Sequence, residues 1–561
     1  MIGQMPLFGE DAEVNDIVEK VKASKEKKDR PSAQEEVIPV KTEAVQTKHH
    51  REAGPVHVGH SMWQRLDMDR ILGEAGMCSS DSLLTQAMVM NRLIAPSSEH
   101  SMPDWIRRTA LADILDVDFG KLNDDALYRN MDKLYPARNH IEKELARTEE
   151  SLFGLDTTLY LYDLTSTYFE GNCLGNPQAK RGYSRDKRSD CKQVVIGLVL
   201  DREGFPKAHE IFDGNTNDST TIDEMLDTLE RRVGKKEGAT VIVDRGMAYD
   251  NNIKQIKDRG YHYIVAAKPY ELNQWLDEFE AQADWQEIIR TPSPLNPYQK
   301  RTKLLVKSRE KDDEVYLLCI SDGRKEKDKA IRQNQERKLI KDIEKLKSRI
   351  EKGRLKKESK IHQAIGRIKE RYARVARYYD IDFDNDTNAL LFSEVPDKKK
   401  LAEKLDGSYI IKTDRKDLTD EEIWRTYILL TRVENAFRNM KSPLCERPIF
   451  HQLKNRVQTH IFLCLLAYHL LICIEKTFLD KGIHTSWESI KEKLSTHQVA
   501  TVVLPTDKGT VLYIRKGSTP EKVHREIYDT LEISYEVMKP KRIWSGEKSS
   551  DGKNEKALIN Q

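Results

Sequence analysis

The chain holds 561 residues, with 94 Lys and Arg against 92 Asp and Glu, a net charge of only +2 and 38% hydrophobic residues. Ordinary Gly and Pro content and abundant apolar runs exclude collagen-like, mucin-like and wholly disordered chains. The length predicts roughly three to four domains at ~150 residues each, and a core large enough to do without disulfides.

Residues 1–56, rich in Lys, Glu, Gln and Val without sustained periodicity, are expected to form a flexible leader. Its acidic start (Glu10, Asp11, Glu13, Asp16) lacks the basic region and apolar core of a signal peptide. Seven cysteines with no CxxC pair suit reduced thiols. A cytoplasmic protein is therefore expected.

From 57 to 153 the spacing predicts an all-helical N-terminal domain. Asp81 is a candidate cap for a helix bearing Leu83, Leu84, Ala87, Met88 and Asn91, and Pro96 ends it. Ile106, Ala110, Leu111, Ile114 and Leu115 share a face of another.

Over 154–268 the period changes. Leu159 to Leu164, Val194 to Leu200 and Ala208 to Phe212 read as strands. A helix from Ser219 to Arg232, the strand Thr240 to Asp244, a helix from Asn251 to Asp258 and the strand Tyr263 to Ala267 follow. Three linked strands and then alternating helices and strands predict an α/β fold, a mixed sheet flanked by helices. The order is compatible with a ribonuclease-H-like fold.

Residues 269–420 read as an α+β insertion. Strands at Lys303 to Lys307 and Glu314 to Ile320 lead into a long charged helical stretch. Leu339, Ile343, Leu346 and Ile350, then Ile361, Ile365, Ile368, Tyr372 and Val375, follow coiled-coil spacing with a break near Gly353. Asn388 to Phe392 and Ser408 to Lys412 close the insertion as strands. Helices resume over 421–480, from Glu421 to Met440 and Asn455 to Phe478. The apolar run Ile461 to Ile474, about 14 residues against the ~20 a membrane span needs, predicts a buried helix and no membrane. A hairpin at Val502 to Arg515 and a polar tail fall in the C-terminal segment, 481–561.

Three acids stand out by position: Asp163 inside an apolar strand, Asp244 at the end of another, and Glu434 within a helix. A carboxylate buried in a strand costs several kcal/mol unless it is paired, bonded or bound to metal. Three oxygen ligands suit Mg²⁺ or Mn²⁺, and two such ions ~3.5–4 Å apart activate the attacking and leaving oxygens of a phosphodiester. Each acid taken alone also fits a strand-end cap, a salt bridge or a solvated helix face. Asp186, Asp190, Asp201 and Asp213 sit in turn-like contexts and are expected as loop formers. His460 and His469 are expected as core histidines, and His57 with His60 is a weak i,i+3 metal pair.

The segments around these acids carry a resemblance. Tyr162-Asp-Leu-Thr-Ser-Thr-Tyr-Phe-Glu-Gly171, Val243-Asp-Arg-Gly-Met247, and Tyr427 seven residues before Glu434 with Lys441 seven after it are similar to DDE transposases of bacterial insertion sequences. The branch is the one with a large, partly β-stranded insertion before the last acid. Gly182-Tyr-Ser-Arg-Asp-Lys-Arg-Ser-Asp190 with Gln193, Gly204-Phe-Pro206, Phe212-Asp-Gly-Asn-Thr216, Asp406-Gly-Ser-Tyr409, Asp420-Glu-Glu-Ile423 and Arg447-Pro-Ile with His460 extend the likeness over about residues 60–480.

That resemblance implies that Asp163, Asp244 and Glu434 form a catalytic triad holding two Mg²⁺ (or Mn²⁺). It also implies that Tyr427, Arg438 and Lys441 meet DNA phosphates. The broader signature has Arg four residues before the Glu, where this chain has Leu430. The implied activity is cleavage at terminal inverted repeats followed by strand transfer to target DNA. The active complex would be a homodimer on DNA, in the cytoplasm at the nucleoid. Rival readings are a ribonuclease-H-like nuclease without strand transfer and a non-catalytic DNA-binding or coiled-coil assembly protein.

The near-zero charge does not oppose DNA binding. Arg324 to Arg377 holds 21 Lys and Arg against 8 Asp and Glu, a net of +13, leaving −11 elsewhere. That stretch is a candidate track for phosphates, or a coiled coil whose seam pairs within the chain or with a second copy. End recognition falls more naturally to the helical N-terminal region, with Arg92, Arg107, Arg108 and Arg129.

Overall fold

The apolar runs carrying Asp163 and Asp244 become neighbouring strands near the middle of a nine-stranded mixed sheet. The computed structural model describes residues 37–290 and 301–545, which form two compact units. Residues 46–52, expected within the leader, instead form strand β1 (Gln46–Glu52), while 1–36 lie outside the described residues. The strand is polar and largely exposed, so no apolar alternation marks it. In the smaller unit it joins β13 (Gln498–Pro505), β14 (Val511–Gly517) and β15 (Lys541–Trp544) in the order β1-β13-β14-β15.

The larger unit, residues 51–499 and 517–539, opens with seven helices. These are α1 (Gly54–Arg65), α2 (Met68–Glu74), α3 (Ser79–Ile94), α4 (Met102–Arg108), α5 (Leu111–Leu115), α6 (Asp124–Leu134) and α7 (Arg138–Phe153). Pro55 sits in the first turn of α1, where its missing N–H costs no helical bond. Strands β2 (Leu159–Tyr168), β3 (Gln193–Asp201) and β4 (Pro206–Asp213) follow as an antiparallel meander. Helix α8 (Ile222–Val233), β5 (Thr240–Val243), α9 (Asp250–Asp258) and β6 (His262–Ala266) complete the first half, with β5 parallel to both β2 and β6.

Beyond this lie α10 (Leu276–Glu280), β7 (Gln286–Arg290), β8 (Thr302–Lys311), β9 (Glu314–Ser321), α11 (Asp322–Glu351), α12 (Glu358–Arg371), α13 (Ala373–Ala376), β10 (Tyr379–Asp384), β11 (Ala389–Glu394), α14 (Pro396–Lys404) and β12 (Ser408–Thr413). Four of these strands extend the sheet, giving the order β4-β3-β2-β5-β6-β12-β9-β8-β7. β12 joins antiparallel to β6, with Ile411 opposite Ala266. β10 and β11 form a separate two-stranded ribbon.

The heptad-spaced stretch folds back on itself. Leu339, Ile343, Leu346 and Ile350 of α11 pack with Ile361, Ile365 and Ile368 of α12 in one apolar cluster. The seam therefore closes within the chain. The reversal passes through Gly353 at φ +64°, a conformation that favours glycine.

The chain continues through α15 (Asp420–Ile428), α16 (Thr431–Lys441), α17 (Lys454–Asp480), α18 (Trp487–Leu494) and α19 (Lys522–Leu531). Helix α17 runs 27 residues, about twice the apolar run legible in sequence, because its polar ends are helical too. By length and composition it could cross a membrane, but 89% of its most apolar window is buried among its neighbours. It packs against α3, α6 and α16.

Residue alternation divides the sheet's faces between two cores. Tyr160, Tyr162, Leu164, Val241 and Val243 point to the side covered by α8 and α9. Leu159, Leu161, Ile242 and Ile264 point to the side shared with Val433 and Phe437 of α16 and most of α17. A strand's period of two places Asp163 and Asp244 on this second side.

Candidate active site

Tyr162 of β2 pairs in parallel register with Val243 of β5. Asp163 and Asp244 therefore follow at matching positions on adjacent strands, whose backbones lie about 4.8 Å apart. Asp163 is partly buried in the strand, and Asp244 is exposed where β5 ends. Burial pushes the Asp163 carboxyl up to about 7, and the neighbouring Asp244 and Asp218 charges add to the rise. Two carboxylates side by side resist joint ionisation, so Asp163 tends to hold a proton when no cation offsets it.

The third acid comes from a helix whose start is encoded locally. Thr419 and Glu422 form a reciprocal capping box at the head of α15. Sequence spacing predicts one helix from Glu421 to Met440; the structure instead tightens at Leu429 and Leu430. There Leu430 N donates to Tyr427 O at 3.1 Å and Val433 N to Leu430 O at 3.0 Å, three-residue bonds rather than α-helical ones. Tyr427 thus lies on α15, while Glu434, Arg438 and Lys441 lie on α16.

Val433, Ala436, Phe437 and Met440 are the buried stripe of α16, which packs against β2. At 100° per residue, Glu434, Arg438 and Lys441 fall along one flank of that stripe. Glu434 and Arg438 are exposed. Tyr427 is half-buried on α15, and burial, then the charges of Asp244 and Glu434, hold its hydroxyl well above its usual range. The three carboxylates do not gather within 4.8 Å of one another, as Glu99, His451 and His460 do elsewhere in the molecule.

Lys441 does not face open solvent. Its ammonium donates to Asp186 at 3.0 Å, and Arg447 donates to the same carboxylate oxygen. Asp186, expected as a loop former, is a side chain only 5% exposed that clamps the end of α16 to the loop after β2. Glu446, completely buried beside this clamp, is pushed up to about 7 by burial.

Sequence reasoning also passed over Arg185 and Asp218. Arg185 donates from one nitrogen to both Asp218 oxygens at 2.7 Å, and its N–H meets Ser166 Oγ at 3.0 Å. The signal was present in the 182–190 motif, but nothing in its spacing pairs Arg185 with Asp218. His57 Nε2 meets the Ser534 carbonyl at 2.7 Å, and His60 Nδ1 meets Gln86 at 2.9 Å. His469 is held by Glu149 at 2.5 Å. Asp201 accepts from the N–H groups of Glu203, Gly204 and Phe205, as a turn-forming acid should.

Asp163 within β2 and Asp244 at the end of β5 lie on adjacent strands, on the side of the sheet against which the Glu434 helix packs, and carboxylate oxygens are the donors that hard divalent cations take. A model of the family described as Transposase DDE domain matches residues 148–470, more than half of the chain and all three acids, and the chain belongs to that family. No curated protein matches. Among solved structures, the chain is similar to a cryo-EM structure of the piggyBac transposase synaptic complex with hairpin DNA. The identity is 8% over 75% of this chain and 70% of that one, with a TM-score of 0.33.

The raised Asp163 gives a stability prediction for the metal-free chain. A carboxyl whose folded value lies near 7 rather than 3.8 destabilises the fold increasingly as pH climbs through that window. Asp163→Asn is expected to stabilise the EDTA-treated protein by ~2 kcal/mol at pH 8, about half the full linkage value because water screens a partly exposed group. The gain should vanish by about pH 4, where both side chains are neutral. Urea denaturation at the two pH values measures it, and an equal gain at both would remove the linkage.

Proposed function

We propose that the chain is a DNA transposase of an insertion sequence, cutting at its element's terminal inverted repeats and joining the freed 3′-hydroxyl to target DNA. Asp163, Asp244 and Glu434 hold two Mg²⁺ (or Mn²⁺). The observation carrying this reading is the matched register of Asp163 and Asp244 on the face that the Glu434 helix covers. The donor set fits: carboxylate oxygens alone, with one acid held toward protonation by burial and by its acidic neighbours. Bound cations supply Lewis-acid activation of the attacking oxygen and stabilise charge on the leaving oxygen.

The fold supports the reading. A meander of three antiparallel strands followed by two parallel ones, in the order β4-β3-β2-β5-β6, is the arrangement expected of a ribonuclease-H-like core, and we assign it as one. Residues 269–420 form its insertion, and the helices of 57–153 are its N-terminal domain. Arg438, exposed on the Glu434 flank, is placed to meet a phosphate. Lys441 could do so only by leaving Asp186. Arg245, next to Asp244, lines a hollow with Arg324, Arg374 and Arg377, which Asp328 partly offsets while Arg332 is buried against Asp406; the basic surface there supports a DNA track running from the acids along α11 and α12. Active homodimers in the cytoplasm, at the nucleoid, complete the proposal; free thiols at all seven cysteines accord with that compartment.

The test uses the full chain, Mg²⁺ and a labelled element end with a supercoiled target plasmid. Cleavage followed by joining is expected. Cleavage without joining points to a nuclease, and end binding without cleavage points to a non-catalytic DNA-binding protein.

A further inference from the structure

Away from the acids, three side chains from distant parts of the sequence meet beneath the strap that joins α16 to α17. Glu99 comes from the loop between α3 and α4, His451 from the strap, and His460 from the second turn of α17. One potential ligand atom from each lies within 4.8 Å of the other two. Glu99 and His460 are 3% and 4% exposed.

The protonation pattern is fixed by neighbours. His460 Nε2 lies 2.8 Å from the Glu446 carbonyl oxygen, which can only accept, so Nε2 carries the proton. Its Nδ1 is then a bare lone pair, buried and without a hydrogen-bond partner. Glu99 turns one oxygen to Arg92 at 3.0 Å and the other toward His451 Nε2 at 3.4 Å. That last distance is long for an N–H···O bond. It matches the separation of two ligands on one tetrahedral zinc, roughly 3.3 Å for bonds of about 2.0–2.1 Å.

The surroundings also have the form that metal ligands take. A ligating histidine donates its other N–H to a carbonyl or carboxylate, and a ligating carboxylate accepts a hydrogen bond on its free oxygen. His460 and Glu99 do each of these. A simple Arg92–Glu99–His451 ion-pair cluster would account for three of the groups but would leave the His460 lone pair buried and unmet, which is unfavourable.

We propose that Glu99, His451 and His460 bind a zinc ion, with water in the fourth position. Two imidazoles select zinc over Mg²⁺, which the oxygen-only acids favour. The nearby Arg92 charge opposes the cation, so the affinity falls below that of four-ligand zinc sites. The ion ties the strap to α17 and to the α3–α4 loop. That strap runs beside the end of the Asp163 strand: Ile449 N donates to Tyr168 O at 3.0 Å, and Glu170 N to Ile449 O at 2.9 Å. Zinc therefore holds the C-terminal end of β2 in place without touching the reacting phosphate.

The full chain, freed of any histidine tag and stripped with EDTA, is titrated with Zn²⁺ or Co²⁺. Metal content, cobalt ligand-field absorption and Tm are read. One equivalent, a tetrahedral nitrogen–oxygen cobalt spectrum and a Tm rise of several degrees are expected. His451→Ala should weaken Zn²⁺ binding at least about 100-fold and abolish the Tm rise, and His460→Ala should do the same. Because His451 sits nearer the surface, its variant keeps the test readable if His460→Ala does not fold. Asp163→Asn should retain the zinc. Equal zinc binding in wild type and His451→Ala, loss of zinc in Asp163→Asn, or no stoichiometric zinc in wild type overturns the assignment.

Discussion

Replacing Asp163 by Asn, or Glu434 by Gln, should reduce Mg²⁺-dependent cleavage of a labelled element end by about 10²- to 10⁴-fold or more, while end binding stays within about threefold. The magnitude follows from what a metal contributes to a phosphoryl transition state, several kcal/mol, at 1.36 kcal/mol per tenfold in rate. Both substitutions preserve shape and remove charge, so the sheet and α16 should fold as before. The two acids reach the site from different elements, Asp163 from β2 and Glu434 from α16. A double variant no slower than the worse single one would show that the site acts as one unit, since groups serving one metal cluster are strongly non-additive. Mn²⁺ in place of Mg²⁺ should restore part of the activity of Glu434→Gln, because the amide oxygen remains a ligand that Mn²⁺ tolerates better. Undiminished cleavage in either variant would sink the assignment of that acid.

How much of this site could be read from sequence depends on how local its causes are. Asp163 and Asp244 were visible because a charge inside or ending an apolar run breaks the pattern, and the strand period alone puts them on one face. Their shared register was not visible, since nothing in a strand names its partner. The same gap hid the growth of the sheet: β12 reads as a strand of the insertion, yet it pairs with β6 and carries β9, β8 and β7 with it. The helical break at Leu429 and Leu430 left no mark either, because leucine suits an α-helix and a tight turn alike. Asp186 escapes a local reading for a related reason. Its local context of Ser184, Arg185 and Lys187 reads as a turn, while its partners Lys441 and Arg447 lie 255 and 261 residues away. His460 could be expected in the core from its apolar helix, but its lone pair gains meaning only beside Glu99 and His451. The heptads were readable as a seam, and only the fold could decide that the seam closes within the chain.

The Asp186 clamp carries the second large expected effect. Asp186→Asn removes the single charge that answers both Lys441, 10% exposed, and Arg447, 30% exposed. Breaking a buried ion pair by deleting one partner costs about 3–5 kcal/mol; the more exposed Arg447 can turn to water, so ~2–4 kcal/mol is expected here. The cost should depend on pH through Glu446, whose buried carboxyl stands near 7, raised by burial and further by Asp186, and lowered by Lys441. Without the Asp186 charge, Glu446 ionises more readily, and the variant binds fewer protons than wild type just below pH 7. Its relative stability therefore rises with pH through that window, so the penalty is largest near pH 5.5 and smaller at pH 8. Urea denaturation at both values measures this. Adding Lys441→Met to Asp186→Asn should recover part of the loss, since an apolar side chain of similar length leaves no buried charge unpaired. A penalty below about 0.5 kcal/mol at both pH values would mean that Lys441 finds another partner. A penalty that grows with pH would remove Glu446 from the account and leave the clamp to Asp186 alone.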